Sequence, residues 1–186
     1  MFRISKDSPA YYLTSVAKDR LPVFRTTELN TVACAALDEA RRSAAFLLFA
    51  YVLMPDHIHT IVGSELKPSR VLQYINGIIS RRVIDFLRDN GHELSLQKLR
   101  HNDRGRGYRH SLWDHHPNAK LLTTEDLLMQ KVNYVHQNPV RAGLVASAED
   151  YRWSSVRIWQ RRPLEDEPLV LDLDQIAWRR GTASVR

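Results

Sequence analysis

Cysteine is nearly absent from this chain. The single one, Cys34, allows no intramolecular disulfide. Its neighbours Ala33, Ala35 and Ala36 mark the thiol as a small buried hydrophobe rather than a nucleophile. Long apolar runs are lacking too. The longest, Ala44 to Pro55, falls short of the roughly 20 residues that cross a bilayer. The first residues, Met1 to Asp7, hold no apolar stretch of the kind a signal peptide needs. A soluble, cytoplasmic protein that does not engage membrane is therefore the default expectation. Internal repeats and low-complexity tracts are also missing.

What is present suits one domain with appendages: 186 residues, 44% hydrophobic and 26% charged. The formal net charge of +6 favours a polyanionic partner, because lysine and arginine gain affinity by releasing counterions from phosphates. Charge by itself does not separate nucleic acid from an acidic membrane.

Periodicity orders the elements. Tyr11 to Val16 is rich in β-formers and predicts a strand. Thr26 or Thr27 can cap a helix running to about Ser43, with Leu29, Val32, Ala33, Ala36, Leu37 and Ala40 on its apolar side. Phe46 to Met54 and His57 to Val62 predict two strands, joined by a tight Pro55-Asp56 turn. Lys67-Pro68-Ser69 opens a second helix, and Gly91 is its plausible stop. Gln97 to His110 is the most basic stretch, carrying Lys98, Arg100, Arg104, Arg106 and Arg109, and predicts a solvated or DNA-contacting loop. Leu112 to Leu122 is a candidate last strand. Thr123-Thr124-Glu125-Asp126 begins a further helix, expected to end near Asn138 because a proline follows. This order is a split βαβ pattern: an α+β fold with an antiparallel sheet, helices on one face and an extra helix after it. Residues 1–160 would form a single domain, and residues 161–186 a charged extension of unassigned role.

Two groups of residues carry chemistry. His57-Ile58-His59 lies within a predicted strand, so both imidazoles leave one face, roughly 7 Å apart along the backbone. They can converge on an ion or simply be hydrogen-bonded sheet residues; spacing alone does not choose. Tyr134 and Asn138 are four apart on a helix and share a face. The first offers a phenol and the second a carbonyl oxygen that a hard cation accepts, although a core aromatic and a helix-end residue would look the same. Trp113, Trp153 and Trp159 are candidates for stacking unpaired bases, with core packing the simpler reading of each.

Taken together and in order, these segments resemble a known family. Tyr51-Val52-Leu53-Met54-Pro55-Asp56-His57-Ile58-His59, followed by Asn133-Tyr134-Val135-His136-Gln137-Asn138-Pro139-Val140-Arg141-Ala142-Gly143-Leu144-Val145 and then Tyr151-Arg152-Trp153-Ser154-Ser155, is similar to the single-tyrosine HUH transposases. Within them it is most similar to the REP-associated tyrosine transposases. The resemblance spans Tyr11 to Trp159. It implies a ferredoxin-like or RRM-like sheet with the histidine pair on a central strand and a catalytic C-terminal helix. It further implies that His57 and His59 bind Mg²⁺ or Mn²⁺, that Asn138 completes the metal site, and that Tyr134 is the nucleophile. The activity implied is cleavage and strand transfer of single-stranded or hairpin DNA through a 5′-phosphotyrosine. A homodimer that supplies the tyrosine helix across its interface is compatible with that family.

Some positions depart from the pattern. Asp56 stands where relatives often carry asparagine; it either orients a histidine or, more simply, serves the turn. His115 and His116 are extra ligands or surface loop residues, and Gln137 lies one position from Asn138. Expected DNA contacts are Arg100, Arg104, Arg106, Arg109 and Trp113. The competing readings are a DNA-binding regulator that keeps the fold and cuts nothing, and a metal-dependent hydrolase that does not use Tyr134.

Overall fold

The structure, a computed structural model, describes residues 1–100, 110–114 and 118–178. Strand β1 (Ala10–Val16) leads through an extended segment into helix α1 (Thr27–Ala44). Thr26 caps α1 by accepting a hydrogen bond from the Leu29 backbone N–H at 3.3 Å. Strands β2 (Leu47–Met54) and β3 (His57–Gly63) form the hairpin. Helix α2 (Pro68–Asp89) starts with proline at its first turn, where no N–H is needed, and the chain leaves it through Gly91 at φ +70°. A short α3 (Glu93–Lys98) follows, then β4 (Asn118–Leu122), α4 (Glu125–Arg141) and a brief α5 (Val156–Trp159).

The four strands pair antiparallel in the order β2-β3-β1-β4. Helices α1 and α2 pack on each other over one face. Their core takes Leu37, Ile75 and Ile79 from the helices and Leu13, Tyr51, Leu53, Ile58 and Val62 from the sheet. Helix α4 crosses the opposite face over β2, β3 and β4. There Leu128, Val132 and Val135 meet Tyr12, Ala50, Val52 and Ile61. Strand β2 is thus covered on both faces, which explains its continuous apolar reading where a half-buried strand would alternate. The fold is the α+β sheet expected, with the extra helix on the side that α1 and α2 leave open.

Strand β2 is an edge strand with little exposed backbone. Leu53 N–H donates to the Trp153 carbonyl at 2.9 Å, Ser155 N–H donates to the Tyr51 carbonyl at 3.0 Å, and Tyr51 N–H donates to Ser155 Oγ at 2.9 Å. Further along, Leu48 N–H donates to Asp172 Oδ2 at 2.8 Å. Covering a hydrophobic edge in this way removes a template for unwanted strand pairing.

Three expectations need correction. Helix α4 does not stop at Asn138 but runs through Pro139 to Arg141. Proline cannot donate to the Val135 carbonyl, and the Asn138 side chain compensates: Nδ2 donates to the Tyr134 carbonyl at 2.8 Å and reaches the Val135 carbonyl at 3.4 Å. Lys98 belongs to α3 rather than to a loop. Trp113 is no stacking platform: it is buried against Phe24, ring centroids 5.7 Å apart, and its indole N–H donates to the Asn76 carbonyl at 2.9 Å.

Candidate active site

His57 and His59 sit on β3, a central strand, and the pleat sends both to the α4 face. Their ring centroids are 4.8 Å apart. The second ring nitrogen of each is held by the protein. His57 Nδ1 lies 2.6 Å from Asp56 Oδ1. His59 Nδ1 lies 2.8 Å from Thr14 Oγ1 and 2.9 Å from Tyr12 Oη. Thr14 is directly opposite His59 in the sheet register, and Tyr12, two residues before it, points to the same face. With Nδ1–H donated to these oxygens, each imidazole keeps its Nε2 lone pair for a ligand.

At His59 the electrostatics favour a neutral ring. Burial, followed by the charges of His57 and Lys131, pushes His59 down to about 3, so it stays neutral. Partial burial disfavours the Asp56 carboxylate, but the hydrogen bond and charge of His57, together with Arg20 at 3.0 Å, hold its pKa below the ordinary value. Burial above all raises the Tyr12 phenol to about 12, keeping it a neutral hydrogen-bonding group.

Tyr134 approaches this pair from α4. Its ring lies 5.9 Å from His59 and 6.1 Å from Tyr12, edge-on to both. It is half-buried, not sealed in the core. Lys131 Nζ is 4.7 Å from the Tyr134 ring and 4.9 Å from that of Tyr12, and the Arg141 guanidinium is 5.1 Å from Tyr134. Asn138 shares the Tyr134 stripe, one turn on. Gln137 does not: it lines a groove of about 600 Å³ on the other flank of α4 with His136 and Trp159.

The donor set suits a divalent cation in part. Among the described residues no cluster of three His, Cys, Asp or Glu side chains could hold a metal ion. Two imidazoles with free Nε2 atoms, steered by a carboxylate and two hydroxyls, fit an open site that takes its remaining oxygens from an amide and a substrate.

These residues are placed by a fold that comparison can name. The family described as "Transposase IS200 like" matches residues 5–99, just over half the chain. This protein belongs to the IS200-like transposase family. The matched span of this transposase runs from before β1 through α3 and contains both histidines. A solved structure of a REP-associated tyrosine transposase bound to a REP hairpin is similar at TM-score 0.61 and 17% identity, covering 91% of this chain and 89% of that one. That likeness extends the shared fold beyond the span of the family match. A crystal structure of a candidate transposase from Deinococcus radiodurans is 19% identical with TM-score 0.47, over 69% of this chain and 88% of that one. No curated protein matches the chain. Among the described residues no helix is long and apolar enough to cross a membrane.

The expected site residues fare unequally in space. His57, His59 and Tyr134 are brought together, and Asn138 lies on the same helical stripe. Arg100 is exposed at the His57 end of the sheet: its carbonyl accepts from Lys18 Nζ at 2.6 Å, and Ala17 N–H donates to the Asp56 carbonyl at 2.8 Å. Arg104, Arg106, Arg109, His115 and His116 lie outside the described residues. Sequence reasoning missed Tyr12, Thr14, Lys131 and Arg141. For the last two a signal existed: spacings of three, four and three along 131, 134, 138 and 141 trace one helical face.

Proposed function

We propose that this transposase cleaves and rejoins single-stranded, hairpin-bearing DNA through a covalent 5′-phosphotyrosine on Tyr134. The observation that carries the reading is the meeting of the Tyr134 ring with an imidazole pair held through its Nδ1 atoms, which leaves the Nε2 atoms for a ligand. A polyanionic, looped strand agrees with the chain's positive charge, and the solved relative that shares its fold was captured with a REP hairpin.

His57, His59 and Asn138 would hold Mg²⁺ or Mn²⁺. When bound there, the ion supplies Lewis-acid neutralisation of a non-bridging phosphate oxygen. The remaining work belongs to the chain. Asp56, Thr14 and Tyr12 fix the imidazole orientations. The Tyr134 phenol gives up its proton, and its oxygen forms a bond to phosphorus. The bond from phosphorus to the 3′-oxygen breaks in line, and that oxygen leaves protonated as a 3′-hydroxyl. The tyrosyl ester preserves the energy of the broken linkage, so another 3′-hydroxyl can attack it, reform a phosphodiester and return the phenol without a nucleotide cofactor.

The test is direct. Full-length protein incubated with 5′-labelled and 3′-labelled hairpin DNA and Mn²⁺ should yield a denaturation-resistant adduct that carries only the 3′ fragment of the strand. Tyr134→Phe should yield none, and a chelator should abolish the wild-type adduct. An adduct of undiminished yield from Tyr134→Phe would remove the nucleophile, and cleavage without any adduct would point to hydrolysis by water.

A further inference from the structure

We infer that Lys131 and Arg141 form a phosphate-binding pair on either side of the nucleophile, holding the attacked phosphodiester and its neighbour against Tyr134. The inference rests on Tyr134 as the proposed nucleophile and extends that site to two residues so far without a role. Three observations support it.

The first is placement. Lys131 is three residues before Tyr134 on α4, and Arg141 is seven after it, so all three share the stripe that overlooks the histidines. Both cations contact the tyrosine ring itself, at 4.7 Å and 5.1 Å. A phosphodiester brought to Tyr134 therefore comes near both cations.

The second is the state of their charges. Several arginines among the described residues are matched to carboxylates: Arg41 to Asp172 and Asp38, Arg82 to Glu39, Arg88 to Asp85, Arg157 to Glu167. Lys131 and Arg141 have no carboxylate partner among the described residues; both lie against aromatic faces. Asp56, the carboxylate beside the histidines, is already taken by His57 and Arg20. The tyrosine side of the site is thus left positive, awaiting an anion from outside the chain.

The third is chemistry. Negative charge on the phosphoryl oxygens grows as the phenol oxygen attacks, and fixed cations there stabilise the transition state more than the ground state. A guanidinium can grip two phosphate oxygens at once, while an ammonium acts as a point charge. Arg141, exposed at the end of α4, suits the first task. Lys131, lodged between two tyrosines, suits the second and also steadies the phenol ring.

The experiment separates binding from chemistry. Hairpin-DNA affinity is measured against salt in the Tyr134→Phe background, where no bond is cut, and adduct formation is measured in single turnover with native Tyr134. Lys131→Gln and Arg141→Gln should each lower the slope of log affinity against log salt by about one. Each should slow the adduct by roughly tenfold or more. Lys131→Arg and Arg141→Lys should recover the slope, with Arg141→Lys recovering less of the rate because the fork is lost. Arg88→Gln, on the far face in α2, should change neither. Unchanged slope and rate in both glutamine variants, with a Tyr134-dependent adduct intact, would overturn the inference and leave the nucleophile standing. Lowered slopes in a protein that forms no adduct would do the reverse: the phosphate pair would stand and the covalent reading would fall.

Discussion

At the scale of single residues, the histidine pair is defined less by the imidazoles than by what holds their far nitrogens. Asp56 touches His57 Nδ1 at 2.6 Å and does not reach His59, so its substitution should be selective. Asp56→Asn is expected to weaken Mn²⁺ binding about 10–100-fold, the usual effect of losing an orienting carboxylate, as read by calorimetry on the full chain. Tyr12→Phe should cost less, because Thr14 still holds His59 Nδ1; a larger loss from Tyr12→Phe than from Asp56→Asn would invert this assignment. His57, His59 and Tyr134 were readable in the sequence because their types are informative and a short motif brings the first two together. Tyr12 and Thr14 were not. Their role arises from the β1–β3 register, which places Thr14 opposite His59 across a long separation in the chain. Asp56 was visible, yet a carboxylate beside a proline reads more simply as a turn residue, and its bond to His57 emerges only with the hairpin built.

At the scale of elements, α4 is the unit on which the site depends, and it contains its own conflict. Proline inside a helix removes a hydrogen bond and typically costs about 3 kcal/mol. Proline also disfavours helical backbone at the residue before it, and from that rule the helix was expected to end near Asn138. The rule failed because Asn138 turns its amide back to the Tyr134 and Val135 carbonyls, and the last turn continues to Ala142, whose N–H donates to the Asn138 carbonyl at 2.9 Å. Asn138 therefore has a structural duty beside its proposed one at the metal. Asn138→Ala should lower unfolding free energy by about 1 kcal/mol, the net value of one such hydrogen bond. In a Pro139→Ala background the same change should cost measurably less, because the substituted residue then supplies a backbone N–H to the Val135 carbonyl. Urea melts of the four proteins form a double-mutant cycle; a coupling energy of zero would show that the amide does not compensate for the proline. The amphipathic α1 and α2, by contrast, were plain from periodicity, since their caps and apolar stripes are local properties of the chain.

At the scale of the whole molecule, the sheet owes its closed β2 edge to chain that follows α4. Trp153 and Ser155 pair with β2, and Asp172 both accepts from Leu48 N–H and grips Arg41 through two bonds, at 2.9 Å and 3.0 Å. Behind them Arg157 and Glu167 form an ion pair at 2.7 Å, with side chains only 9% and 8% exposed. Arg157 also donates to the carbonyls of Glu149 and Arg152, at 2.8 Å and 2.9 Å. Nothing in the composition of residues beyond Arg161 pointed to this, because a charged, proline-containing stretch resembles a solvated tail until the partners of Asp172, over a hundred residues earlier, are known. A buried pair broken on one side leaves an uncompensated charge, at a cost of about 3–5 kcal/mol. Glu167→Gln should therefore destabilise the protein severely, with a urea midpoint far below that of wild type. Asp166→Asn, which breaks the exposed neighbouring pair with Arg152, should leave the midpoint almost unchanged. If the two variants melted alike, the stretch beyond Arg161 would be a passive appendage. If only Glu167→Gln melts early, the edge that flanks the histidine hairpin is sealed by residues that the motifs of the site never touch.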